Sequence, residues 1–433
     1  MTAPAQVHEA IGKHMLADGM DPVVDLEKSY GSWIVDARDG KEYLDLFSMF
    51  ASMSVGYNHP YLLEHKEDLA VAALNKPTNS DIYSTQMADF VSTMGRVAQP
   101  DYLPYAFYIE GGALGVENAL KTAFDWKSKL NRKNGKSVEG SKVIHFEQCF
   151  HGRTGYTLSL TDSHDKRKTE HFPKFDWPRI SNPYIHSAND DDIENREAKA
   201  IDEIKAVLAE SADEVACIII EPIQGEGGDN HYRPQFLKAL RTLADENDFL
   251  LIYDEVQTGI AITGEMWCHQ HFGEEARPDL ISFGKKTQVC GTFAGNRLDE
   301  VDAHVFKESS RLNSTWGGNL TDMVRFKLYL EIIENEKLVN NAEEMGKHLF
   351  QSLNTLESKY AEKISYARGR GLFCAFDCNS AEDRDKLAGL IQEEGAIVLG
   401  SGERTIRFRP HLNVTSDEID SGIEMISAAL EHL

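Results

Sequence analysis

Between residues 142 and 283 the chain alternates short, mainly apolar runs with stretches whose apolar positions recur every three or four residues. Lys142–Phe146, Val215–Glu221, Phe249–Asp254 and Leu280–Phe283 read as strands, and Ile201–Ala209 and Pro234–Glu246 as helices. Strands without polar alternation, separated by helices, predict a mainly parallel sheet covered on both faces. Polar, turn-rich stretches at Arg132–Gly140 and Ser187–Asn195 read as loops. From about Thr321 the texture changes. Thr321–Asn335 and Val339–Lys359 carry the pattern of long amphipathic helices. Gly371–Asp377, a helix near Asp383–Glu394, the segment Thr405–Phe408 and a last helix from Asp417 suggest a smaller α+β unit. Near the start, Ile34-Val35-Asp36 and Tyr43-Leu44-Asp45 flank Asp39-Gly40, a strong hairpin signal. The expected division is residues 1–70 as the first part of a small domain, 71–320 as a large domain, and 321–433 as the rest of the small one.

Composition narrows the function classes. The 433 residues carry 45 Lys+Arg against 70 Asp+Glu, a formal charge of −25, which disfavours nucleic acid as a partner in the absence of a basic stripe. A hydrophobic fraction of 41% is that of a folded globular protein rather than a disordered one. Apolar runs far shorter than a bilayer and an N-terminus without a basic and apolar leader predict a cytoplasmic protein with no membrane association. Six scattered cysteines show neither disulfide nor zinc spacing, so no metal is expected, and Cys374 and Cys378 read as two sulfurs on one strand face.

The candidate chemistry lies at two strand ends. Phe249-Leu-Leu-Ile-Tyr-Asp254-Glu-Val-Gln257-Thr-Gly259 delivers an acid to the carboxyl end of a buried strand, where open α/β sheets bind ligands. Leu280-Ile-Ser-Phe-Gly284-Lys285-Lys286 sets a lysine directly after another strand, a costly place for an ammonium with no task. Alone, Asp254 also reads as a turn cap, and either lysine as a surface residue.

Together with Asn58-His59-Pro60 and Arg368-Gly-Arg-Gly-Leu372, these segments resemble the class III aminotransferases that depend on pyridoxal 5'-phosphate. The resemblance runs from about Pro22 to the C-terminus. It implies the α/β fold called fold type I: a large domain with a mainly parallel seven-stranded sheet, plus a smaller α+β domain from both termini. Longer stretches resemble the branch of that family that acts on the ε-amine of L-lysine: Glu110–Lys121, Phe150–Leu160, Phe172–Arg179, Gly284–Cys290 and Leu312–Asn319. One departure stands after Gly259, where Ile-Ala-Ile-Thr-Gly264 replaces the family's usual Phe-Gly-Arg-Thr-Gly.

By that resemblance, Lys285 binds the cofactor's aldehyde and then shuttles the proton. Lys286, the competing candidate, is read as its neighbour. Asp254 pairs with the pyridinium nitrogen, Gln257 contacts the phenolic oxygen or the adjoining wall, Phe150 stacks on the ring and Glu221 buttresses the region. Gly112 and Ala113, before a helix expected near Val116, offer backbone N–H groups to the phosphate. Thr315 reaches the phosphate of a neighbouring subunit, which makes a homodimer with a shared site the working unit. For substrates, Arg153 is the distal carboxylate clamp and Arg407 the clamp beside the reacting carbon. Glu226 neutralises Arg407 when no carboxylate is present. The implied reaction moves the ε-amino group of L-lysine to 2-oxoglutarate. Ornithine, 4-aminobutyrate or another ω-amine as donor stays open, as does a mutase or racemase that needs no keto acid.

Overall fold

Val215–Ile220 and Leu250–Asp254 are buried at every position and lie side by side in parallel, with Cys217 opposite Leu250 and Ile220 opposite Tyr253. They form the middle of a seven-stranded sheet in the computed structural model, which describes residues 2–433. From one edge to the other the strands are Tyr105–Ile109, Cys290–Ala294, Leu280–Phe283, Leu250–Asp254, Val215–Ile220, Lys142–Phe146 and Arg179–Ile180. All neighbours pair in parallel except Cys290–Ala294, which is antiparallel to both of its own. Alternate side chains go to opposite faces, so each strand contributes to two cores. Ile219, Leu250, Ile252 and Leu280 pack with Val116, Leu120 and Trp126 of the helix Gly112–Lys133. Ile218, Leu251, Tyr253 and Ile281 belong to the cluster that includes Phe236, Leu237 and Leu240 of the helix Pro234–Glu246. Both faces are covered, which is why these strands tolerate no polar alternation.

The two ends of the chain meet in one small sheet. Trp33–Val35 and Glu42–Asp45 form the expected hairpin, and Ala396–Ile397 adds a parallel strand with Ala396 opposite Leu44. A four-stranded antiparallel sheet, Ile364–Arg370, Phe373–Cys378, Thr405–Phe408 and Leu399–Ser401, stands beside it. Cys374 and Cys378 are buried there, and all six cysteines are free. Among the described residues no helix is long and apolar enough to cross a membrane, and no group of three or more His, Cys, Asp or Glu is arranged to hold a metal.

Three elements differ from the sequence expectation. The helix expected over Ile201–Ala209 spans Ile193–Ser211 and absorbs the end of the loop assigned to Ser187–Asn195. Its first turns look polar, but Arg233 pairs with both Glu194 and Glu197, and Ile193, Ala200 and Ile204 are buried. The helix expected near Val116 begins at Gly112. Tyr105–Ile109, rich in aromatic residues, and Cys290–Ala294 are strands that the sequence expectation left out, and they form the antiparallel side of the sheet.

Candidate active site

Asp254 ends its strand with a carboxylate that is 4% exposed. Oδ2 lies 2.8 Å from Nδ1 of His151, and Oδ1 accepts from the backbone N–H of Val256 at 3.1 Å and the hydroxyl of Ser282 at 3.2 Å. Burial opposes a charge on His151, but the adjacent Cys149 sulfur and the Asp254 carboxylate outweigh it and hold the imidazole pKa well above its ordinary value. The other ring nitrogen, Nε2, is buried without a partner. Below this pair, Glu221 accepts from the N–H of Phe150 at 2.9 Å and of Gly225 at 3.0 Å, tying together two loops that line the site. Burial pushes its pKa up to about 7.

The parallel register that sets Ser282 opposite Asp254 carries the next strand's end to the same place. Gly284 makes that approach feasible. A Cβ there would lie 3.1 Å from the Cys290 sulfur and 3.3 Å from the Gly112 Cα. The two following lysines part company. Lys286 is buried, and its Nζ donates to the carbonyls of Gln257 at 2.7 Å and Ala51 at 3.3 Å. Lys285 lines the cavity instead, with a backbone φ of 54° in the left-handed region. Holding a non-glycine residue there costs about 1–3 kcal/mol. Burial first, then the positive charge of Arg407, lowers its pKa to about 8.

The cavity has a volume of about 970 Å³. Gly112, Ala113, Phe150, Arg153, Glu221, Glu226, Asp254, Gln257, Lys285 and Arg407 all line it. At one end the helix Gly112–Lys133 starts without a side-chain cap, so its first N–H groups face outward as donors for an anion. Thr315 is the exception. It sits exposed on the loop before the helix Leu320–Asn335 and contributes nothing to the cavity of its own chain.

Arg407 is buried with its Nη1 3.3 Å from Oε1 of Gln257 and its Nε without a partner. Desolvation, then the charge of Arg409, brings its pKa down to about 10, while Asp229 and Glu226 oppose the shift. Gln257 turns its carbonyl oxygen to this wall, accepting from Arg409 as well at 3.2 Å. Arg409 is fixed by Asp229 at 2.6 Å. Arg153, by contrast, is exposed at the cavity's edge. The expected pairing of Glu226 with Arg407 is absent. Glu226 Oε1 instead accepts from Lys168 Nζ at 2.5 Å and Ser163 Oγ at 2.9 Å.

His151 and Lys168 were not singled out by their sequence positions. His151 stands within Phe150-His-Gly-Arg153, but its partner is 103 residues away, and Lys168 lies in an ordinary-looking basic run. Chemically, the cavity joins an amine that is neutral in part near pH 8, a buried carboxylate, an anion-binding helix end and four guanidinium groups, Arg153 and Arg407 among them. An aromatic aldehyde with an anionic arm and a protonated ring nitrogen fits these groups.

The sequence profile of the family Aminotransferase class-III matches residues 15–430. The L-lysine-epsilon aminotransferase of Mycobacterium tuberculosis is 49% identical over 99% of this chain and 96% of its own length. That of Streptomyces clavuligerus is 45% identical over 98% and 94%. The solved lysine aminotransferase of Mycobacterium tuberculosis in its internal aldimine form superposes with a TM-score of 0.97 over 100% of both chains.

Proposed function

The chain belongs to the class III aminotransferases, and from that premise we propose that it transfers the ε-amino group of L-lysine to 2-oxoglutarate. The products are L-glutamate and 2-aminoadipate 6-semialdehyde, which closes on its own amine to 1-piperideine-6-carboxylate. The observation that carries the reading is one cavity lined by Lys285, Asp254 and, at different depths, Arg153 and Arg407. The family and the solved relative imply pyridoxal 5'-phosphate as cofactor. Gly112 and Ala113 N–H groups would take its phosphate, Phe150 and Val256 its ring, Asp254 with His151 the ring nitrogen, and Lys285 the aldehyde. Gln257 Oε1 serves the wall beside Arg407, which leaves its Nε2 to donate to the ring's phenolic oxygen. When bound, the cofactor supplies an electron-accepting ring that eases proton loss from the carbon bearing the amine.

The protein's own groups then divide the work. Lys285 Nζ takes a proton from the ε-carbon of L-lysine in the donor half and gives one to the keto carbon of 2-oxoglutarate in the acceptor half. Its lowered pKa keeps a usable fraction of the free base near neutral pH. Arg153 at the rim takes the carboxylate far from the reacting carbon: the α-carboxylate of L-lysine or the γ-carboxylate of 2-oxoglutarate. Arg407, buried and with its Nε free, takes the carboxylate next to the keto group. L-Lysine puts a neutral methylene there, and Glu226, on the glycine-rich Gly225–Gly228 loop, supplies the balancing charge.

A shared dimer site is supported by Thr315, exposed beside a segment whose Leu74, Ile82 and Tyr83 are 81%, 69% and 78% exposed. Ser80 of that segment donates to the carbonyl of Ser314 at 2.6 Å, so the threonine and the apolar patch share one face. The division at residues 70 and 320 is supported by the sheet that joins both termini.

A donor panel tests the reaction. With 2-oxoglutarate as acceptor, L-lysine is expected to give an aminobenzaldehyde-reactive cyclic imine faster than ornithine, 4-aminobutyrate or simple diamines give their products. A clear preference for any of those rejects the lysine assignment. Turnover without a 2-oxo acid moves the protein to a mutase or racemase.

A further inference from the structure

In the proposed reaction Glu226 leaves Arg407 whenever a 2-oxo dicarboxylate enters, and in the structure it stands apart from Arg407. Its carboxylate is held by Lys168 Nζ at 2.5 Å and Ser163 Oγ at 2.9 Å. Both partners come from one short segment. Ser163 opens it, and Lys168 ends the 3-10 turn Lys166–Lys168, which Asp165 caps through the N–H of Arg167. The other cations of this basic run are occupied elsewhere: Lys166 by Asp162 at 3.1 Å and Arg167 by Asp165 at 2.7 Å. Lys168 alone of the three turns to Glu226, with its ammonium also 6.0 Å from the ring centre of Phe150. The pair is partly desolvated, the side chains being 33% and 19% exposed. Meanwhile the backbone of Glu226 is pinned, since its carbonyl accepts from the N–H of Gly402 at 2.8 Å. Only the side chain has to move for the carboxylate to change partners.

We propose that Lys168, with Ser163, latches Glu226 away from Arg407 and so acts as a positioning residue that sets the balance between the two halves of the reaction. The inference rests on the Arg407 and Glu226 roles given above. A dicarboxylate competes with Glu226 for Arg407, and any interaction that favours the withdrawn state removes part of that competition. L-Lysine uses the other state, in which Glu226 covers Arg407, so the same latch works against it. One salt bridge therefore shifts the two substrates in opposite directions, which a merely structural lysine does not do.

The test uses the holoenzyme carrying Lys168→Met and, as the conservative control, Lys168→Arg. Binding of glutarate, an unreactive dicarboxylate, is measured by calorimetry, and each half-reaction is followed separately by the cofactor spectrum. Lys168→Met is expected to weaken glutarate and raise the half-saturating 2-oxoglutarate concentration about five-fold. It should lower that for L-lysine, and Lys168→Arg should restore both. In a Glu226→Gln background the Lys168→Met effect on glutarate is expected to vanish. If Lys168→Met weakens glutarate equally in that background, Lys168 binds the dicarboxylate itself and the latch is wrong. Parallel losses in both half-reactions, or no change in glutarate binding, also overturn it. Arg407→Ala in the same titration separates the two levels of argument: glutarate binding indifferent to that change removes the Arg407 reading along with the latch. Weaker binding there with no Lys168 effect removes the latch alone.

Discussion

Lys285 and Lys286 are consecutive, and both lie where burial penalises a charge, yet the backbone sends them to different tasks. Lys286 spends its ammonium on two carbonyls, whereas Lys285 faces the cavity. Lys285→Ala should abolish turnover and the absorbance of covalently bound cofactor. Lys286→Met should keep that absorbance while lowering the melting temperature. The pKa of about 8 for Lys285 lies below the ordinary 10.5. The unfolded chain therefore binds the extra proton between those values, so the stability penalty is full below about pH 8 and fades as pH rises towards 10.5. The same shift sets the rate of cofactor uptake by the apoprotein, which should rise with a midpoint near pH 8. A midpoint near 10.5 would show that the amine is not desolvated. For Asp254→Asn, the pairing with His151 loses its charge, and kcat should fall about 10²–10³-fold, measured in either half-reaction.

Among the elements, the helix Gly112–Lys133 does most to build the site, because its uncapped start supplies the anion donors and its body packs on the sheet. Gly115 is where helix and strand touch. A Cβ there would lie 2.8 Å from the carbonyl oxygen of Gly291. Gly115→Ala should therefore push the helix off the strand, lower stability by about 1–3 kcal/mol in a denaturant titration, and weaken cofactor binding as the N-terminus shifts. The strands that carry Asp254 and the Gly284-Lys285 turn were legible in the sequence, since burial on both faces removes all polar alternation from them. So was the helix Pro234–Glu246, bounded by Pro at its first position and by Asn247 after it. The antiparallel strand Cys290–Ala294 was not, because its short run of small and mixed residues has no period of its own and is defined by the neighbours it pairs with. The site divides in the same way. Residues at strand ends or in distinctive runs could be named from the sequence, and all but Thr315 converge on the cavity. Lys168 and the His151–Asp254 pair depend on contacts between distant segments, as does the present placement of Glu226, and a linear pattern does not encode them.

On the scale of the whole molecule, the four-stranded antiparallel sheet near the C-terminus is tied to the active-site wall. Arg368 carries that link, donating to the carbonyls of Gly228 at 2.6 Å and Asp229 at 3.0 Å while paired with Asp377 at 2.7 Å. The proposed dimer has a consequence that a monomer cannot imitate. Mixing Lys285→Ala chains with Thr315→Ala chains creates hybrid dimers in which one of the two sites has both residues intact, so with random pairing of an equal mixture activity should recover towards about a quarter of the wild type. No recovery above the separate variants would show that each site is built from one chain. The central claim, transfer of the terminal rather than the α-amine, is reached most directly with L-lysine labelled with ¹⁵N at the ε position only. After turnover with 2-oxoglutarate, the label is expected in the amino group of L-glutamate. Unlabelled glutamate, with ¹⁵N retained in the lysine-derived product, would contradict it.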